Sequence, residues 1–149
     1  MSTDGIRHVV TDAANPDFMI RYRKPPAGWD SPRFSQVVEV QGARLIYLSG
    51  QAAIDREYRV VSRDFRIQLG QVWDNIEAAL AAVGATLQNI VKTTTYIVDA
   101  KYRQDMREVR AERLKHLDAP PANTALVVNR LIEPEFLVEI DVVAAVPLR

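Results

Sequence analysis

No cysteine occurs among the 149 residues, which removes disulfides, thiolate metal ligands and a cysteine nucleophile together. That absence suits a reducing compartment. A surplus of either charge is missing too, with 19 Lys and Arg against 19 Asp and Glu. Sequence-independent binding to phosphates needs excess cations, so nucleic acid is not an expected partner. No segment approaches the ~18 apolar residues of a membrane span, and Met1 to His8 carries no apolar leader stretch. The expectation is a soluble, unprocessed, cytoplasmic protein with no membrane partner. The two histidines, His8 and His116, lie far apart and lack metal-ligand spacing and a nearby acidic cluster. There is no Gly-rich phosphate loop and no Ser-His-Asp order. Neither a metal nor a cofactor is expected.

What is present is an ordinary globular balance, 48% apolar and 26% charged, in a length that suits one domain with a real core. Residues 1–31 are irregular, with a short strand expected at Arg7 to Val10 and loop signals at Asn15-Pro16 and Lys24 to Gly28. They are expected to form an N-terminal arm on a domain spanning 32–149. Val38 to Val40, the turn pair Gln41-Gly42, and Leu45 to Gln51 suggest a hairpin. Asp64 is a good helix cap. Phe65, Leu69, Val72, Ile76, Leu80 and Val83 follow at helical spacing, and Gly84 closes the run. Trp29 and Trp73 are expected to pack inside. The β-branched run Ile90 to Val98 predicts a strand. Asp99 opens a second helix that buries Tyr102, Met106, Val109 and Leu114. Its other face, with Arg103, Arg107, Arg110 and Arg113, is expected to be solvated.

The chain closes on Ala122 to Val128 and Leu137 to Val146, expected to pair as neighbouring strands. The second is apolar except for Glu139 and Asp141, which share one face of a strand. A carboxylate there needs a partner or a use. Two readings of Glu139 stand side by side: a group that moves protons, or a structural carboxylate paired with Arg130 or another subunit's arginine. Asn123 is either a donor to a ligand oxygen or a cap for the turn after Pro121. Gly50, directly after a strand, leaves room for a backbone or a ligand to approach. The layout predicts an α+β fold: a mixed sheet with two helices packed on one face, and partner subunits covering the other.

Ser49-Gly50-Gln51, Val91 to Thr94, Pro121-Ala122-x-Thr124, Arg130-Leu131 and Val138 to Asp141 occur in the order seen in the reactive intermediate deaminase family, also called YjgF and "endoribonuclease L-PSP". The chain resembles that family over about Pro32 to Val146. The resemblance implies a chorismate-mutase-like subunit of the bacillus type. It also implies a homotrimer with an inner barrel and inter-subunit clefts for a small-molecule substrate. The implied chemistry is hydrolysis of an enamine or imine to a carbonyl compound and ammonia. Residue by residue, the resemblance matches Glu139 to the family glutamate and retains the Gly50 backbone beside Ser49. Asn123 stands where the family's carboxylate-gripping arginine is usual, Ala125 replaces a common cysteine, and Phe34 replaces a tyrosine. These residues form the expected substrate site of a divergent deaminase whose substrate is not the usual 2-aminoacrylate. Arg33 and Arg107 are candidates for a displaced positive charge. The alternative is a non-catalytic small-molecule-binding or regulatory trimer of the same fold. Ribonuclease activity, suggested by the family label alone, is opposed by zero net charge and the lack of a catalytic histidine pair.

Overall fold

The structure is a computed structural model that describes residues 5–148. Residues 1–4 and 149, and with them the start of the expected arm and part of the expected leaderless terminus, lie outside the described residues. Strand β1 (Ile6–Asp12) and β2 (Asn15–Arg23) form a hairpin, and β2 pairs antiparallel with β3 (Val37–Gln41). The chain then passes into a second sheet through β4 (Ala43–Ala52). Helix α1 (Phe65–Ala81), β5 (Ile90–Ile97), α2 (Arg103–Arg113), β6 (Ala122–Val127) and β7 (Val138–Pro147) follow. The second sheet has the order β4-β7-β5-β6 and is mixed: β5 and β6 run parallel, joined by the α2 crossover, while β7 is antiparallel to both its neighbours. This is the expected α+β architecture, with both helices on one face.

Three expectations about the strands change. Strands β3 and β4 do not form a hairpin. The Gln41-Gly42 step is a corner between sheets, with Gly42 at φ 62° and the Asp17 carbonyl where a Cβ would project. Nor do β6 and β7 pair with each other, because β5 lies between them. A parallel β5-α2-β6 unit needs a long crossover, which α2 supplies, and the 128–137 segment then carries the chain past β5. Asn15-Pro16 begins a strand instead of ending in a loop. The turn is Ala13-Ala14, held by Asp12 Oδ1, which accepts from the Ala14 and Asn15 amides at 2.7 and 3.0 Å. Pro16 lies in the irregular stretch of β2 before its pairing with β3 begins at Met19, so its missing N–H disturbs no β3 pairing.

Two cores result. On the helix side, Leu69, Val72, Trp73, Ile76 and Leu80 of α1 and Met106 of α2 pack on Ile46, Ile90, Ile140, Val142 and Ala144. Asp64 caps α1 by accepting from the Ile67 amide at 3.0 Å, as expected, and Gly84 (φ 72°) lies beyond its end. The helix stops at Ala81, which leaves Val83 exposed outside the stripe. On the opposite side, Phe18, Ile20 and Tyr22 of β2 bury Val91, Ala119 and Ala145. The chain's own N-terminal sheet therefore covers one end of the face expected to need a partner. Beyond that cover, Leu45, Tyr47 and Leu126 are exposed, Tyr47 at 73%. Trp73 is in the core, whereas Trp29 is exposed against the edge of Phe34.

Candidate functional site

Glu139 and Asp141 share the sheet face turned away from the helices, as the alternating burial of β7 requires. Their register partners on β5 are Tyr96 and Thr94. One step further, Lys92 Nζ donates to Thr124 Oγ1 at 2.5 Å, and the Tyr96 hydroxyl donates to Asp141 Oδ2 at 3.4 Å. A polar stripe thus crosses three strands. Sequence reasoning missed Tyr96, Thr94 and Lys92, although their period-two spacing inside Ile90 to Val98 placed them on one face.

Gly50 makes room for Glu139. On β4, Leu48 pairs with Val142 and Gln51 with Ile140, so Ser49 and Gly50 form a bulge opposite Asp141. A Cβ at Gly50 would run into the Glu139 carboxylate, with Cδ at 2.8 Å and Cγ at 3.1 Å. Gly50 does not hold a positive φ, so glycine stands there for space and not for backbone freedom. Two amides on α1 fix the strands that carry this pair. Asn75 Nδ2 donates to the Ala52 and Ile54 carbonyls, both at 3.0 Å. Gln68, fully buried, donates to the Ser62 and Glu135 carbonyls at 2.7 and 2.8 Å. Its Oε1 accepts from the Leu137 amide at 2.9 Å, just ahead of β7. The sequence showed Gln68 only as a polar interruption beside Leu69.

Partial burial pushes the Glu139 carboxyl above the ordinary carboxylate range, and the Asp141 charge adds to the shift. No described residue forms an ion pair or hydrogen bond with it; Arg130 is exposed and elsewhere. The arrangement yields a carboxyl group that is a better base when ionised and holds its proton nearer to neutrality when not.

Asn123 lies elsewhere. Its register partner Thr93 is buried on the helix side, and Thr93 Oγ1 donates to Asn123 Oδ1 at 2.8 Å. Asn123 and exposed Ala125 therefore occupy the sheet face opposite Glu139, and one chain cannot bring Asn123 and Glu139 to one ligand. Phe34 precedes Ser35, whose hydroxyl donates to the Pro120 carbonyl at 2.7 Å and which bridges Ala122 at the start of β6. That puts Phe34 at the Asn123 end of the sheet, its ring edge-on to Trp29 at 5.5 Å. Ser49 is exposed on the bulge beside Gly50. The site residues fall into two groups: Glu139, Gly50 and Ser49, and Asn123, Ala125 and Phe34. Among the described residues no three His, Asp or Glu side chains converge as metal ligands. Among the described residues no helix is long and apolar enough to cross a membrane.

A sequence profile for the family described as Endoribonuclease L-PSP matches residues 29–146. A RutC family protein of Aquifex aeolicus is 35% identical over 112 residues, covering 74% of this chain and 86% of that protein. The solved structure of a Rid family protein, YyfB from Yersinia pestis, superposes with a TM-score of 0.79 at 27% identity, covering 85% of this chain and 98% of that one. RidA from an Antarctic Psychrobacter superposes with a TM-score of 0.64 at 28% identity, over 71% of this chain and 87% of that chain.

Proposed function

Because the chain belongs to the endoribonuclease L-PSP family, the RidA and YjgF group, we propose that it is an enamine or imine deaminase with Glu139 as its proton-transfer group. The observation that carries this reading is the partly buried Glu139 carboxyl, lodged over Gly50 with its proton affinity raised. Water adds to the protonated C=N carbon while the Glu139 carboxylate takes its proton. The carboxyl then returns the proton to the amine nitrogen, and as the C–N bond breaks the Glu139 carboxylate takes the proton of the new hydroxyl, so that ammonia leaves and a carbonyl compound remains. No metal or cofactor enters this sequence.

The substrate site is proposed to lie between copies of the chain. Asn123 and Glu139 face opposite sides of the sheet, so a cleft that holds both takes Asn123 from one copy and Glu139 from the next. A homotrimer supplies three such clefts and would cover Leu45, Tyr47 and Leu126. Asn123 offers a neutral amide whose oxygen is already held by Thr93, leaving only its N–H groups for a ligand. That favours a substrate other than 2-aminoacrylate, one held without a charged fork at this position. The same commitment of Asn123 to Thr93 favours a second reading, a non-catalytic small-molecule-binding or regulatory trimer.

The deciding assay is carbonyl release from imines generated in place by an amino-acid oxidase acting on a panel of amino acids. Turnover above the uncatalysed rate, lost in Glu139→Gln, supports the deaminase. A panel on which wild type and Glu139→Gln are equally inert leaves the binding reading in its place.

A further inference from the structure

The arginines of α2 do not all lie in solvent. Arg113 donates to the Gly70 carbonyl at 3.1 Å and pairs with Asp74 at 2.7 Å. Arg66 of α1 pairs with Asp105 and Glu108 of α2 at 2.7 and 2.8 Å. Each of these cations has carboxylates. Arg110 has none among the described residues. Its Nη1 donates to the Arg33 carbonyl at 2.5 Å, while Nε and Nη2 are buried with no hydrogen-bond partner. Burial pushes its pKa down to about 10. One turn earlier, Arg107 is also weakened, first by desolvation and then by the Arg103 and Arg33 charges.

Arg33, Arg107, Arg110 and Lys115 line one cavity of about 240 Å³, walled by Leu114 and Pro120. No described carboxylate lines it. Lys115 is partly neutralised by Glu112 at 2.6 Å, whereas Arg33, Arg107 and Arg110 form no ion pair among the described residues. A guanidinium taken out of water without a counter-charge is unfavourable, and like charges around it add to that. Occupation by an anion reverses both terms. The planar fork of arginine matches carboxylate and phosphate oxygens, and the volume, worth about eight waters at about 30 Å³ each, limits the ligand to a small molecule.

We propose that this cavity between α2 and the 32–35 segment is a binding site for a small oxyanion, a carboxylate or a phosphate group. Arg33 and Arg107 make the contacts at its mouth. Arg110 acts from beneath as a fixed positive charge. The site lies on the helix side, away from Glu139, and the proposal does not depend on the deaminase reading.

The test uses the full-length protein at fixed ionic strength, with sodium phosphate or sodium pyruvate exchanged for sodium chloride. Melting temperature and calorimetric titration are the readouts. At least one of the two oxyanions should raise the melting temperature saturably, and which one does so identifies the source of the ligand. The double variant Arg33→Gln with Arg107→Gln should bind at least tenfold more weakly. Arg110→Met, which removes the uncompensated charge, should melt at the same or a higher temperature in chloride and should not respond to the oxyanion. Indifference of the wild type to both oxyanions overturns the proposal, as does unchanged affinity in the double variant. It also falls if Arg110→Met lowers the melting temperature in chloride and alters the oligomeric state, since another copy of the chain would then be the partner of Arg110.

Discussion

Replacing Gly50 with alanine separates two roles that a glycine on a strand can have. If it served a left-handed backbone, any side chain would strain the chain; here φ is not positive, so alanine fits the backbone. On that count alone the substitution would stabilise by about 0.4–1 kcal/mol, through lost freedom of the unfolded chain. Against this stands the Glu139 side chain, whose carboxylate fills the place of the new methyl. Crowding in a rigid core costs about 1–3 kcal/mol, but a half-buried glutamate can swing away for less. The net change is therefore within about 2 kcal/mol, which for a chain of this size is a melting shift of about 4–8 °C at most. The displaced carboxylate meets more water, so its raised proton affinity should relax towards the ordinary range. General acid–base catalysis by one side chain is worth on the order of 10²–10⁴ in rate, and that factor is what Gly50→Ala should lose if the protein is a deaminase. Carboxyl-resolved NMR titration, circular-dichroism melting and turnover on one preparation read all three effects. A Gly50→Ala protein that keeps its fold while Glu139 titrates as in the wild type would refute the spatial account. A collapse in stability well beyond 8 °C would show that the crowding cannot be relieved.

The raised carboxyl also predicts a pH signature. Because Glu139 holds its proton more tightly folded than unfolded, its contribution to stability is full below its unfolded pKa of about 4.3 and is lost as pH rises through the folded value. Glu139→Gln should accordingly melt above the wild type at pH 7, with the gap closing below about pH 4; a gap that widens on acidification contradicts the sign. Asn123→Ala leaves the buried Thr93 hydroxyl without its acceptor, and urea unfolding should register a loss of about 1–3 kcal/mol. No loss would mean that Thr93 finds another acceptor. For the assembly, light scattering should give a trimer that Tyr47→Asp dissociates, since that exposed ring stands on the uncovered sheet face. A wild-type monomer at micromolar concentration ends the inter-subunit cleft.

Sequence patterns carried the elements better than their partners. The 3.6-residue spacing from Phe65 to Leu80 and the alternation through Val138 to Val146 each report a buried face directly, and both appear where expected. Which strand lies beside which is a long-range matter. The turn pair Gln41-Gly42 and the short gap between Val128 and Leu137 suggested neighbouring strand pairs that the sheet order replaces with a corner and a crossover. Phe18, Ile20 and Tyr22 carried a clear period-two signal, hidden between Pro16 and the Pro25-Pro26 pair. The site was legible in part. Glu139 on a strand pointed to itself, as a carboxylate among apolar residues. That Asn123 faces the other way follows from the parallel register of β6 with β5, which no local pattern encodes. The solvated reading of α2 failed for Arg110 and Arg113 because a charge spacing along a helix does not show which neighbouring segments lie over it.

Strand β7 sits in the interior of its sheet, between β4 and β5, yet it comes last of the seven. Ala43 must wait for Pro147 before β4 has its neighbour in this sheet, and Ile90 for Ala144, although β5 can already pair with β6. During synthesis from the N-terminus, then, α1, β5 and α2 all emerge before the strand that closes their core exists. Such distant pairing slows folding, and it leaves Ile46, Ile90 and the apolar stripe of α1 without their final cover until translation is nearly finished. A ribosome stalled ahead of Val138 would display an adhesive, half-built sheet, its apolar strands open to aggregation until β7 arrives.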